Sequence, residues 1–335
     1  MRILKWVLLS IIALVLVYFL GPTVRFPTVV SGKVSPWDIS LDSLDTYVKT
    51  KDLNIPNIKP DNESRIIWAD SIRKTRFSIV YLHGFSASPM ESNPTHINLA
   101  RKLGCNLYIP LLSGHGILDK EAFANLTPND LIESAKEALA IGQLLGEDVI
   151  LMSCSTGGTL SIYLAAANAE MVDGLIMYSP NISLADPTAK FISGPWGKQI
   201  VNNVIGKYWI PKDPNDEYGW KYWSMEYRTE GLIALQALLD ETMKPEIFDQ
   251  VTQPYFAGYY YKDDEHQDKT ISTAAIIHFN NQTSTPPDQK VLMAFPNAGE
   301  HVMANPYKGQ DVEGLLNASL DFAQNVLKII TVTDE

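Results

Sequence analysis

Residues Val149–Gly158 read VILMSCSTGG. Val149–Met152 is an unbroken apolar run short enough for a buried strand, and Thr156–Ala167 follows with a helical pattern. Between them lie three side chains able to act as nucleophiles: Ser153, Cys154 and Ser155. A nucleophile on a sharp strand-to-helix turn has a strained backbone. The residues two before and two after it crowd together, so both must be small. Ser153 fails because Leu151 precedes it by two, and Cys154 fails because Met152 does. Ser155 has Ser153 before and Gly157 after, so it alone satisfies the turn, with Ser at a flank where Gly is usual. Cys154 is expected to pack beside the turn.

The pattern on either side repeats this alternation. Arg65–Trp68, Phe77–Leu82, Asn106–Pro110 and Leu175–Tyr178 read as strands. Pro94–Leu103 and Asn129–Leu145 read as helices, the second with Thr127 or Asn129 as its cap. After residues 181–250 the pattern resumes with strand Tyr255–Tyr260, a helix near Thr270–Asn281, strand Lys290–Phe295 and a last helix near Val312–Ile330. Strands alternating with helices predict an α/β fold with a mostly parallel sheet covered on both faces. Four of the seven tryptophans (Trp196, Trp209, Trp220, Trp223) fall within 181–250, with Tyr208, Tyr218, Tyr222 and Tyr227. That composition at an insertion suggests a lid with an aromatic face toward an apolar pocket.

The chain has 335 residues, 46% hydrophobic and 19% charged, ample material for a large core. A net charge of -11 and the absence of a basic run argue against a nucleic-acid partner. The two cysteines, Cys105 and Cys154, cannot build a disulfide framework, and no C-x-x-C or H-E-x-x-H spacing points to a metal. No metal or organic cofactor is expected.

At the N-terminus, Ile3–Leu20 is apolar except for Ser10 and Lys5, with Arg2 ahead of it. This fits a signal segment at the short end of membrane-spanning length. Tyr18, Phe19 and Leu20 stand where small residues would mark cleavage, which favours an uncleaved anchor over a secreted form. The basic flank predicts a cytoplasmic N-terminus and an extracytoplasmic body. The expected organisation is an anchor over 1–21, a Pro-rich linker or arm over 22–60, and one catalytic domain over 61–335.

A serine needs a base, and the base an orienting group. Of six histidines, His301 lies in NAGEHV (297–302) just after the last strand, where it can reach the carboxyl ends of central strands. His96 and His278 fall in helices and read as ordinary core or surface residues. The acid should fall between Ser155 and His301. YKDDEHQDKTIS (261–272) offers Asp263, Asp264, Glu265 and Asp268. Asp268, just ahead of a helix, is favoured, with Asp264 and Asp263 as alternatives. For the oxyanion, the N–H groups of Thr156 and Phe85 are the candidate donors, the second from HGFS (83–86) after the FSIVYL strand. Gly84 permits close approach, and His83 reads as structural.

Four segments, HGF (83–85), SGHG (113–116), SCSTGG (153–158) and NAGEHV (297–302), together resemble the α/β-hydrolases, and among them the carboxylesterases and monoacylglycerol lipases. DKTIS (268–272) is similar to the family's acid followed by an apolar residue. The match spans 61–335. The resemblance implies the α/β-hydrolase fold with a cap at 181–250. It also implies a triad of Ser155, Asp268 and His301, with Phe85 and Thr156 forming the oxyanion hole. The implied activity is cleavage of a short- or medium-chain acyl ester or a monoacylglycerol. Acyl transfer, amide hydrolysis, or a non-catalytic binding role on the same scaffold are the alternatives. Two departures stand out: Ser153 at the usual Gly position, and a long stretch between Tyr260 and Asp268.

Overall fold

The computed structural model describes residues 2–211 and 213–331. In chain order the first half forms α1 (Arg2–Phe19), α2 (Leu41–Leu53), β1 (Arg65–Ile67), β2 (Thr75–Leu82), α3 (Thr95–Leu103), β3 (Asn106–Ile109), α4 (Pro128–Leu145), β4 (Gly146–Cys154), α5 (Thr156–Ala167) and β5 (Gly174–Tyr178). An excursion then leaves the sheet. It contains α6 (Gly197–Val204), β6 (Tyr208–Trp209), α7 (Glu217–Tyr222), β7 (Tyr227–Arg228), α8 (Glu230–Thr242) and α9 (Pro245–Phe248). The chain returns with β8 (Tyr255–Tyr259), α10 (Thr273–Gln282), β9 (Lys290–Ala294) and α11 (Val312–Asn325).

Seven strands pair in the order β1-β3-β2-β4-β5-β8-β9. Only β1 runs antiparallel to its neighbour, so the other six strands end at one common edge. β4 is the middle strand of the seven. Successive side chains of a strand face opposite sides, and both sides are buried here. Val80, Leu82, Val149 and Leu151 enter one core cluster with α4 and α5. Ile79, Tyr81, Ile150 and Met152 enter the other, with α3 and α11. This is why the strands read as continuous apolar runs.

Thr127 caps α4 by a capping box, its Oγ1 accepting from the Asp130 N–H while the Asp130 carboxylate accepts from the Thr127 N–H. β4 is longer than its apolar run suggests, because Gly146–Asp148 extend the pairing with β2.

Two features of the N-terminal region differ from expectation. Residues 41–53, read as part of a loose arm, form α2, whose Leu44 and Val48 are buried in the core. Asp52 is buried with them and accepts from both the N–H and the hydroxyl of Ser64. The predicted membrane anchor is not supported. α1 is helical and its apolar side chains are exposed, but among the described residues no helix is long and apolar enough to cross a membrane. Its 18 residues rise only about 27 Å against a hydrocarbon core of about 30 Å.

Candidate active site

The common edge of the parallel strands brings three loops together. They follow β2 (residues 83–94), β8 (260–272) and β9 (295–311), and they meet the turn between β4 and α5. The register pairs Leu82 with Ser153, so the loop after β2 and the turn start at the same level.

Ser155 sits at that turn with φ 53° and ψ −118°, a left-handed backbone that a non-glycine residue rarely adopts. The turn is held by backbone hydrogen bonds. The Ser155 N–H donates to Tyr178 O at 3.0 Å, and the Ser155 carbonyl accepts from Gly158 N at 2.8 Å and Asn181 N at 2.9 Å. The need for a small residue at 157 has a direct cause: a Cβ there would lie 1.9 Å from the Leu82 carbonyl oxygen. Ser153, the other flank, is fully buried. Cys154 is buried too, and burial, followed by the charges of Glu91 and Asp268, pushes its thiol well above the usual range. It is held as a neutral thiol, which is not the nucleophilic form.

His301 and Asp268 are joined. The imidazole Nδ1 lies 2.6 Å from Asp268 Oδ2. Asp268 is buried, and its other oxygen accepts from Thr270 N at 2.8 Å and Ile271 N at 3.1 Å. Burial works against both charges, but the pair outweighs it: His301 is held above the ordinary imidazole value and Asp268 below the ordinary carboxylate value. The two alternative acids face elsewhere. Asp263 accepts from His266 and Asp264 from the Tyr261 hydroxyl, both on the exposed part of the loop. The Ser179 hydroxyl, one residue after Tyr178, donates to His301 O at 2.9 Å. The end of β5 therefore anchors both the Ser155 turn and the His301 loop. Among the described residues no hydrogen bond joins Ser155 Oγ to His301, and such contacts commonly tighten only around a bound substrate.

The loop after β2 presents the Phe85 amide. His83 is buried, donates from Nδ1 to Gly84 O at 2.9 Å and accepts at Nε2 from Leu112 N at 3.1 Å. That fixes a neutral tautomer, and burial followed by the neighbouring His115 holds its pKa well below the ordinary value. With Gly84 O gripped by His83 and by Ala87 N at 3.3 Å, the trans peptide directs the Phe85 N–H the opposite way. Thr156 occupies the first position of α5, where an N–H has no partner within the helix. Among the described residues neither amide donates to a protein acceptor. Gly84 packs against the Ser155 turn, since a Cβ on it would meet Ser155 Cβ at 3.1 Å.

The excursion lies against this loop. Ser224 N donates to Ser86 O at 2.6 Å, and Gly231 at the start of α8 packs on Phe85 and Phe123. The ring of the excursion that meets Phe85 is Tyr227, at 5.7 Å between centroids. Trp209 stacks on Tyr227 with centroids 6.2 Å apart, while Trp196 donates its indole N–H to Val17 O and Trp220 to Pro214 O.

One carboxyl at the site was missed from the sequence. Glu91 is 2% exposed, and its Oε2 accepts from the Gly84 N–H and the Tyr81 hydroxyl, both at 2.8 Å. It is the only Asp, Glu, Lys or Arg between His83 and Ala100, within a run of small and apolar residues. That isolation was the available signal.

The comparisons agree with this architecture. The model of the alpha/beta hydrolase family matches residues 79–307. No curated protein sequence matches the chain. Among solved structures, a metagenome-derived lipolytic enzyme from the work on LipS and LipT superposes with a TM-score of 0.64 at 17% identity, covering 80% of this chain and 100% of its own. The monoacylglycerol lipase of Paleococcus ferrophilus gives 0.56 at 12% identity, covering 77% and 96%. Est1E of Butyrivibrio proteoclasticus, with ferulic acid bound, gives 0.53 at 16% identity, covering 82% and 100%. With the family model matching well over half of the chain, and the sheet order and site loops described above, this protein belongs to the alpha/beta hydrolase family.

Proposed function

We propose that the protein is a serine hydrolase that cleaves carboxylic esters through an acyl-enzyme on Ser155. The observation that carries this reading is the buried Asp268–His301 hydrogen bond of 2.6 Å at the same sheet edge as a serine with positive φ. His301 takes the Ser155 proton as Oγ attacks the ester carbonyl carbon, and the Phe85 and Thr156 N–H groups meet the oxyanion. Collapse breaks the carbon–oxygen bond, and the alcohol leaves with the proton from His301. Water then attacks the acyl-enzyme with His301 again as base, and the acid departs as Oγ regains a proton. Asp268 keeps Nδ1 protonated and stabilises the imidazolium.

In this reading residues 181–250 form a cap, supported by the Ser224–Ser86 bond and by Gly231 on Phe85. The rings of Phe85, Phe123 and Tyr227 offer an apolar wall for an acyl chain. The substrate class proposed is a short- or medium-chain ester or a monoacylglycerol, in line with the lipolytic enzyme and monoacylglycerol lipase of similar fold. The body is proposed to be exported, on the strength of the basic flank and apolar run at the N-terminus. The test is turnover of p-nitrophenyl esters of increasing chain length by wild type and Ser155→Ala. The variant should lose on the order of 10⁴–10⁶ in kcat. Undiminished turnover by Ser155→Ala would end the proposal.

A further inference from the structure

The mechanism above leaves Glu91 unused, yet it is built into the site. Its Oε2 holds the Gly84 N–H, one residue ahead of the proposed oxyanion donor Phe85. Its Oε1 and Ser155 Cβ share the space beside Gly84, where a Cβ would lie 2.8 Å from the first and 3.1 Å from the second. Its segment is tied to the histidine loop: Asn305 Nδ2 donates to the Glu91 carbonyl at 2.8 Å, and four residues on the Thr95 hydroxyl donates to Ala304 O at 2.5 Å. Glu91 therefore joins the oxyanion loop and the Ser155 turn through its side chain, and the loop that carries His301 through its backbone carbonyl.

We propose that Glu91 is a positioning residue for acyl transfer, which sets the Gly84–Phe85 peptide through the Gly84 amide and adds a second carboxylate whose charge acts on the imidazolium that His301 becomes. The inference rests on the acyl-transfer reading. The ionisable groups that face Glu91 are Tyr81 on β2, Cys154 at the end of β4 and His301, with Asp268 behind it. His96 stacks on Tyr81 from α3 with ring centroids 4.8 Å apart, and burial holds it neutral at about 4. No lysine or arginine pairs with Glu91 among the described residues. Burial raises Glu91 to about 7, opposed by the Gly84 and Tyr81 bonds and by His301. Its charge thus forms in the range where a histidine base begins to work. Once formed, that charge favours protonated His301.

Two substitutions separate its two contributions. Glu91→Gln keeps an acceptor for Gly84 and removes the charge. The acid limb of kcat/KM should move to lower pH, and kcat should fall about tenfold with KM within about twofold. Glu91→Asp keeps the charge and withdraws it from Gly84. Here kcat should fall by about 10–100-fold, because a misplaced oxyanion donor approaches a lost one, while the acid limb stays in place. Active sites are counted by fluorophosphonate titration. A purely structural role would lower the active fraction or the Tm and leave both readouts unchanged per active site.

Folded Glu91→Gln with the wild-type acid limb and kcat would overturn the proposal. If both variants are insoluble, wild type decides by NMR. The low-field His301 Nδ1 proton should titrate in two steps, its own and that of Glu91, and a single step would overturn the proposal. This spectrum is readable even if no ester is hydrolysed. Inactive wild type with a two-step titration would count against the esterase reading alone, and active wild type with unaltered Glu91 variants against this inference alone.

Discussion

The loops after β2 and β8 each bury one carboxyl beside the same histidine, and the two carboxyls are driven in opposite directions. Asp268 is 3% exposed and Glu91 2%. Burial pushes both upward. Asp268 receives two backbone N–H bonds and the imidazole itself, and ends below the ordinary value. Glu91 receives one N–H and one hydroxyl with no direct cation, and ends at about 7. Depth alone therefore does not fix the charge of a buried acid. What fixes it is whether a cationic partner lies within hydrogen-bonding distance.

The largest effect expected from breaking this contrast is in catalysis. Asp268→Asn should cost about 10⁴ in kcat, because an amide there lets Nδ1 lose its proton and His301 take the wrong tautomer. Steady-state kinetics on an ester substrate reads this directly, and a loss below tenfold would remove Asp268 from its assigned role.

The next effect is in stability, and the two sites should respond with opposite signs. Glu91 has a folded pKa above its unfolded one, so its contribution is fully present below about 4.5 and is lost as pH rises to about 7. At about 1.4 kcal/mol per pH unit, that loss is on the order of 3 kcal/mol. Glu91→Gln escapes it, so wild type should lose ground to the variant between pH 4.5 and 7 in urea unfolding. Asp268 has a depressed folded pKa, so its contribution is present at neutral pH and is lost as pH falls through the folded value. Asp268→Asn should therefore be less stable than wild type at neutral pH, with the gap closing in acid. Parallel pH profiles for the two variants would break the comparison.

A smaller effect concerns the activity profile of wild type. His301 must be neutral to act as base and is held above the ordinary 6.5 by Asp268, against the effect of burial. The acid limb of kcat/KM should accordingly lie above that value. The smallest effect sharpens the assignment of the acid. Asp263→Asn and Asp264→Asn should each leave kcat within about twofold, since both side chains pair on the exposed part of the loop.

How far the sequence was legible follows from the kind of signal each element leaves. The sheet was readable because each buried strand is an apolar run. The Ser155 turn was readable because steric crowding demands small flanks, and Gly157 against the Leu82 carbonyl is that demand in atomic form. α2 was hidden because Leu44 and Val48 are its only buried apolar residues, set among Asp, Lys and Thr in a stretch that looks like linker. The orientation of the tryptophans in the excursion was equally hidden. Composition marks aromatic content but not which ring turns inward, and of the aromatic rings named there it is Tyr227 that meets Phe85. Glu91 escaped notice because a single acid in SASPMESNP reads as solvated loop, and only the closing of α3 and the histidine loop over it makes it interior.

The central claim is that Ser155 is the nucleophile. It is tested most directly by treating the protein with a fluorophosphonate and mapping the adduct by peptide mass spectrometry. One phosphonyl group should appear on the peptide carrying Ser155 in wild type and be absent from Ser155→Ala. An adduct that persists in Ser155→Ala, on Cys154 or elsewhere, or no adduct on wild type, would contradict it.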